Sequence, residues 1–480
     1  MTPAPSLEIT IGDRGPASPQ PGDVGAWFAA GLAARGPVGT VSECLSLAQV
    51  KAIYGDVVTY SHLIRCAEQY FRQGGSRMVI SRIVGPAATK GLLALSSAAP
   101  AVVMTVTADS AGDWSANLTI TVTAGTGSDR VVTFKDTGAA LFSATFSSAA
   151  ALQTAFEDTG LVDVALGAGV WPIAVLAETP LSTGSDDRAS IPTTAAGWKT
   201  VLDVFDADLG VGSVSLPGVT TPAAHEALGK HFWSHKRWPL CDGIDTATVA
   251  SLTSPAGTLR TLTAPVALGQ MLAPWIKVPY LTGTVTIPPS GAVAGRMASA
   301  DHENPAGPGQ PAAASFGVLT GVVDVTQEWS QADRDLLSDA GVTVIRNIRG
   351  NVQAYDALSW ADPGVYPQYA EASGMRVVLA IYSEALAALE QYVMAVIDGN
   401  RHLLSAVEKD LVGICQAWYA RDALYGATAG EAFSVDTGPG VNPDAQLALR
   451  KIAAQMELRT SPFAATVALL ITKVASGDTI

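Results

Sequence analysis

The stretch HLIRCAEQYFRQGGSRMVISRIVG, residues 62–85, decides how the chain is read. Its first half is helix-like, Gly74 and Gly75 form a helix stop, and RMVISRIVG after them reads as a strand. Upstream, VGAWFAAGLA (24–33) is strand-like, so 24–89 has an α/β pattern. That pattern breaks off and returns at TVLDVFDADLG (200–210). The strand VGSVSLPG (211–218), a predicted helix through HEALGKHFWSHKRW (225–238) and the strand PLCDGI (239–244) follow it. Between about 90 and 197, threonine and serine rise. VVMTVTA, NLTITVTA and RVVTFKD appear there as short β runs split by Gly, Ser and Asp, which predicts a separate β-rich insertion.

Beyond a Pro-rich loop, ENPAGPGQPAA (303–313), two long helices are predicted over about 375–397 and 402–425. The second carries Leu403, Val407, Leu411, Ile414 and Trp418 near helical spacing. In KIAAQMELR (451–459), Ile452, Ala454, Met456 and Leu458 alternate with polar residues, the period of a strand. Residues 464–474 hold one charge, Lys473, and mix β-branched with aliphatic side chains, as in a strand buried on both faces. At the other end Leu7, Ile9 and Ile11 alternate with Glu8 and Thr10 ahead of the turn-rich GDRGPASPQPGD, giving an exposed strand on a leash.

Composition narrows the function classes. With 480 residues, 48% hydrophobic and 15% charged, the chain can build two or three domains with a substantial core. Its 29 basic and 43 acidic residues give a net charge of −14, which opposes the phosphate neutralisation that nucleic acid or an anionic membrane requires. No apolar run approaches the eighteen or so residues of a membrane span, and MTPAPSLEIT has neither a basic n-region nor an h-region, so neither insertion nor secretion is expected. Cys44, Cys66, Cys241 and Cys415 lie far apart without a CxxC pair, which argues against a zinc site or a disulfide framework and for folding in a reducing cytoplasm.

A search for chemistry leaves no catalytic constellation. GVGSVSLPG lacks GxGxxG spacing, and neither GxxxxGK[ST] nor GxSxG occurs. His231 and His235 are four apart but lack the HExxH glutamate, so an ordinary amphipathic helix is the better reading. Asp203, Asp206 and Asp208 lack the EF-hand pattern and read as a solvated helix end. The sequon at Asn117 carries no weight without a signal peptide, and Trp275, Trp329 and Trp360 are read as core or interface residues, not a sugar platform. No cofactor, metal or catalytic residue is assigned.

An ordered set of other motifs is recognisable. GPVGTVSECLSLAQVKAIYG and then AEQYFRQGGSRMVISRIVG resemble the opening core of contractile tail sheath proteins of bacteriophages and related injection machines. VGSVSLPG is similar to that family's strand ending in Pro-Gly, and APWIKV with IPPSGAVAGRMASAD to its Pro-Trp and Pro-Pro-Ser-Gly…Ala-Gly signature. DLLSDAGVTVIRNIRGNVQAYDALSW, ALYGATAGEAFSVDTGPGVNP and, in the insertion, SAGDWSANLTITV resemble further family segments. The resemblance spans about 24–89 and 200–474. Ala354, Tyr355, Asp356 and Ala357 depart from the family's Trp-Gly-Ala-Arg, and the Pro-Gly-Val-Tyr opening is missing.

The resemblance implies an α/β and α+β multidomain chain: an N-terminal arm (1–22), an α/β core (23–89 and 198–360) and an outward-facing β-rich insertion (90–197). A C-terminal inner domain of long helices with a small sheet (361–463) and a C-terminal arm (464–480) complete it. It further implies that neighbouring subunits' arms complete that sheet, with Leu7, Ile9, Ile11, Val467, Leu469 and Ile471 as the arm side chains. Arg450, Lys451 and Arg459 are candidates to meet an inner tube. The implied subunit stacks with itself as hexameric rings in a helical sheath, around a tail tube and between baseplate and terminator proteins, in a virion tail assembled in the bacterial host cytoplasm. An α/β enzyme with an unrecognised site and a static shell or adhesin remain the alternative readings.

Overall fold

The structure, a computed structural model, describes residues 22–99, 101–262 and 267–464. An eight-stranded sheet organises the core. Its strands are β1 (Trp27–Gly31), β2 (Val41–Cys44), β3 (Met78–Arg82), β4 (Gly212–Ser215), β5 (Arg237–Asp242), β6 (Gln270–Ala273), β7 (Val342–Ile348) and β8 (Asn351–Ala354), in the order β8-β7-β6-β5-β4-β1-β3-β2. From β7 to β3 all neighbours are parallel, and the antiparallel strands β2 and β8 form the edges. Every residue of β1, β3, β4, β5 and β6 is buried, because helices cover both faces of a parallel sheet.

Those helices are α1 (Leu47–Tyr54), α2 (Leu63–Arg72), α3 (Ala195–Leu202), α4 (Pro222–His235), α5 (Val249–Thr261), α6 (Ser290–Glu303) and α7 (Gln331–Asp339). Helix α2 stops where Gly74 takes φ +99°: its N–H bonds to Phe71 O (3.1 Å), and the N–H of Gly75 to Tyr70 O (3.0 Å). This is a Schellman motif, and it turns the chain directly into β3. Helix α6 lies unusually close to α2. A Cβ on Gly291 or Gly295 would come within 2.4 Å of Cys66 O or 2.3 Å of Tyr70 O, so the small residues of SGAVAG exist for helix contact.

The insertion has a core of its own. Strands Leu176–Pro180, Leu118–Ala124, Arg130–Asp136 and Ala139–Phe146 make one antiparallel sheet, and Leu92–Ser96, Val102–Ala108 and Val162–Leu166 another. Leu118, Ile120 and Val122 point inward between half-exposed threonines and join Phe134 and Phe156, whose rings meet edge-on at 5.0 Å.

A C-terminal unit holds α8 (Ala372–Glu390), α9 (His402–Tyr419) and a two-stranded ribbon, β9 (Phe433–Asp436) with β10 (Gln455–Leu458). Several sequence expectations need correction here. The helix expected through Trp238 ends at His235: Lys236 turns left-handed (φ +56°), and Arg237 and Trp238 already belong to β5. The long helices end at Glu390 and Tyr419 instead of 397 and 425, and the strand expected in KIAAQMELR begins at Gln455, not Ile452. In α9 the buried stripe is Leu404, Val407, Leu411, Cys415 and Trp418, with Leu403 and Ile414 only half-buried. Finally, α8 is by length and composition apolar enough to cross a bilayer, contrary to the sequence expectation. More than half of its most apolar window is buried against the protein, the pattern of a core helix.

Candidate assembly surface

The ribbon is held from below. Asn442, fully buried, donates to Thr437 O (2.9 Å) and Ala453 O (2.7 Å) and accepts from Ala453 N–H (2.7 Å), which closes the long turn between β9 and β10. Thr437 Oγ1 donates to Glu408 Oε2 on α9 (2.6 Å). Beyond β10, Arg459 N–H bonds to Ala432 O, Tyr425 N–H to Arg459 O and Ser461 N–H to Ala423 O, so the chain stays pinned as far as Ser461. Strand β9 packs on α9. Past β10, Thr460 lies against Gly374 of α8, and Ala454 and Met456 pack with Val435 on the cluster of Ala385, Val407 and Leu411, which α8 and α9 share. Met456 and Leu458 face inward while Gln455, Glu457 and Arg459 are exposed. Among the described residues no third strand pairs with the ribbon. An edge with unpaired ladder groups can take up another strand, and a lone two-stranded ribbon is marginal without further cover.

Buried ion pairs fasten the modules to each other. Arg82 on β3 and Asp186, near the end of the insertion, both have fully buried side chains and meet at 2.6 Å. Arg82 also donates to Ala33 O, Ala34 O and Gly36 O in the core and to Ala111 O in the insertion. Arg188 donates to Asp186 and Asp113 and covers the Tyr60 ring at 3.4 Å. At the other joint, Arg376 of α8 donates to Asp301 of α6 (3.0 Å), again with both side chains buried, and burial pushes the Asp301 carboxyl up. Trp418 Nε1 donates to Glu384 Oε2 (3.0 Å), joining α9 to α8.

Of the residues singled out in the sequence, Leu7, Ile9, Ile11, Val467, Leu469 and Ile471 lie outside the described residues. Arg450, Lys451 and Arg459 are exposed beside the ribbon, and among the described residues none of them forms an ion pair. The joints were missed from sequence, since Arg82 and Asp186 stand 104 positions apart with no local pattern to connect them.

Other polar clusters lie inside the body, and in the first of them His225 Nδ1 is buried without a partner. Asp242 ends β5 and accepts from Gly218 N–H (3.0 Å), Ser290 N–H (2.9 Å) and Ser290 Oγ (2.8 Å), while burial pushes its carboxyl up to about 6. Leu-Pro-Gly and Pro-Pro-Ser-Gly thus converge on one buried carboxylate at the N-terminus of α6. His225 Nε2 bonds to Asp242 O (3.1 Å), and burial pulls its imidazole down to about 4. His231 and His235 stack at 4.2 Å, and burial, with His235 and Arg237 beside it, pulls His231 well down. That cationic setting opposes a metal ion, and among the described residues no group of three or more His, Cys, Asp or Glu is placed to hold one. The four cysteines are free and buried, as are Trp275, Trp329 and Trp360. A cavity of about 1120 Å³ lies beside the Pro-rich loop, lined by Arg334, Asp335, Arg346, Tyr355, Asp356 and Arg421. Asp356 there accepts from Ser338 Oγ (2.6 Å) and Ala357 N–H, and burial pushes its carboxyl up.

No protein-family model matches the chain, and no curated protein matches it. Solved structures do. The sheath tail protein of Desulfitobacterium hafniense aligns over 90% of this chain and 93% of its own, with a TM-score of 0.61 and 14% identity. The helical sheath of the anti-feeding prophage in its contracted state aligns over 98% and 99%, with a TM-score of 0.58 and 15% identity. The contracted sheath of PVC, an extracellular contractile injection system, aligns over 98% of both chains, with a TM-score of 0.58 and 12% identity. The chain therefore has the fold of contractile sheath proteins along nearly its whole length.

Proposed function

We propose that the chain is the structural subunit of a contractile sheath, polymerising through strand exchange between copies. One observation carries this reading: in a chain with the sheath fold, the C-terminal ribbon has two strands and an edge that no other described segment pairs with. The alternating segment at Leu7, Ile9 and Ile11 and the uncharged one at Val467, Leu469 and Ile471 are suited to fill such an edge in a neighbour. The arms are then 1–22 and 464–480. The body between them comprises the core (23–89 and 198–360), the outward insertion (90–197) and the inner domain (361–463).

The physics suits a machine that changes shape while staying connected. Buried ion pairs at both joints make each subunit move as one body, so that rearrangement occurs between copies. A strand of about six residues spans roughly 20 Å, and a Pro- and Gly-rich leash lets it stay paired while the body behind it rotates. Each subunit lowers its free energy modestly in passing from an extended to a contracted lattice, and the gains add along the tube.

In this reading hexameric rings stack around an inner tail tube, which Arg450, Lys451 and Arg459 face, and the sheath ends at baseplate and terminator proteins. The setting is a bacteriophage tail, assembled in the host cytoplasm and used for genome ejection. The acidic surface keeps subunits soluble before assembly. Negative-stain microscopy of the purified chain tests the proposal. Striated tubules are expected, and monodisperse monomers persisting at high concentration would refute it.

A further inference from the structure

The four-stranded sheet of the insertion has a bare edge. Its strands run in the order Leu176–Pro180, Leu118–Ala124, Arg130–Asp136, Ala139–Phe146, and among the described residues the last of them pairs on one side only. At eight residues it is the longest edge strand of the described chain, and its sequence, Ala-Ala-Leu-Phe-Ser-Ala-Thr-Phe, holds neither charge nor proline. Six of the eight residues are exposed, Leu141 among them at 41%. Unpaired N–H and C=O groups along an edge invite further pairing, so folded proteins blunt their edges with charge, proline or cover. Other edges of this body are blunted in those ways. Leu176–Pro180 carries Glu178 and ends in proline, and β2 carries Glu43. Leu319 N–H bonds to Val352 O on β8, and Gln153 Nε2 to Val164 O on the edge strand Val162–Leu166.

The occupant that fits this edge is the same strand of a second copy. The next longest edge strands have five residues, so none of them matches its length. Antiparallel pairing across a two-fold axis sets one residue opposite itself. With Ser143 on the axis the ladder runs from Ala140 to Phe146. On the inner face Phe142, which packs half-buried on the insertion core, meets Ala144 of the second copy, and Phe146 meets Ala140, so each ring lies beside a small side chain. On the outer face Leu141 meets Thr145, and the two Ser143 hydroxyls face each other. No charge enters the ladder, and the repulsion between two chains of net charge −14 is screened beyond about 8 Å at physiological salt. The contact is closed, because each strand consumes the other's free edge and leaves nothing for a third copy. A ladder about 24 Å long and one strand deep buries far less than the roughly 1,600 Å² of a standard interface. The pair is therefore weak and reversible.

We propose that two unassembled chains pair through Ala139–Phe146, with Ser143 on the two-fold axis, in a reversible dimer that closes this edge. The inference goes beyond the sheath reading: a tube whose copies all point one way contains no such axis, so the dimer forms before assembly and dissociates into it. Sedimentation equilibrium of the full-length chain, below the concentration at which tubules form, should show monomers exchanging with dimers. Ser143→Lys sets two like charges opposite each other; it should raise the dissociation constant tenfold or more, leave melting unchanged and still form tubules. The four native thiols are buried. Oxidised Ser143→Cys should therefore give a disulfide-linked dimer, whereas Thr133→Cys, opposite Ser143 but one strand further in, should not. A wild-type chain that stays monomeric, an unchanged dissociation constant in Ser143→Lys or no disulfide from Ser143→Cys overturns the inference and leaves the sheath reading standing. Loss of tubules in Ser143→Lys assigns the edge to the sheath lattice and overturns it as well. Dimers that respond to both substitutions, in a chain that never forms tubules, support the inference and refute the sheath reading.

Discussion

Replacing Arg82 by Met should loosen the joint between core and insertion. In the native protein the guanidinium is fully buried, bonded to Asp186 and to four backbone carbonyls, three in the core and one in the insertion. Methionine fills much of the same volume but leaves the Asp186 carboxylate with Arg188 as its one remaining cation, about a third exposed, and leaves the carbonyls without a donor. Removing one partner of a buried pair costs about 3–5 kcal/mol. Because Arg188 still donates to Asp186, the lower end, about 3 kcal/mol, is expected. At 1.4 kcal/mol per tenfold, that is a rise of about 100-fold in the open population of the joint. Hydrogen exchange read by mass spectrometry over the connectors at 84–91 and 182–190 should accelerate by that factor, while the strands of the insertion core stay protected. Adding Asp186→Leu removes the stranded charge and should recover most of the protection. Connector exchange within threefold of wild type in Arg82→Met, or no recovery in the double variant, would refute the idea that this pair locks the subunit into one body.

Leu411, 1% exposed between α8 and the ribbon, should cost about 2–5 kcal/mol on substitution by Ala, seen as faster exchange in β9 and β10 with the eight-stranded sheet unaffected. For pH, His225 has a folded value of about 4 against about 6.5 unfolded, so the unfolded chain takes up the proton first and stability falls on acidification through that window. Relative to a His225→Gln variant, wild type should lose about 3 kcal/mol between pH 7 and 4. Asp242, raised to about 6, acts in the opposite sense in both proteins and drops out of the comparison. Equal pH profiles would show that His225 is not held neutral. Reversing Arg450 and Lys451 to Glu should reduce co-sedimentation with assembled inner tube while leaving monomer melting in place. Unchanged co-sedimentation would remove those residues from the tube contact.

Local chemistry made part of the fold legible. Residues 62–85 read correctly as helix, stop and strand because Gly74 supplies the left-handed turn that a Schellman motif requires. The insertion announced itself through its threonine-rich β runs such as NLTITVTA, whose Leu118, Ile120 and Val122 are buried. Other features depend on contacts that no window contains. The helix that ends at His235 was expected to run through Trp238, because HKRW contains neither glycine nor proline to mark its end. What places Arg237 in a buried strand is its bonding to Phe205 O, Asp206 O and Gly210 O, which long-range structure alone provides.

The account turns on who occupies the free edge of β10. A cryo-microscopy reconstruction of the assembled polymer reads this directly. The prediction is a third strand against β10 whose density traces to another copy. An edge left bare in the polymer, or filled by the subunit's own chain, would contradict it.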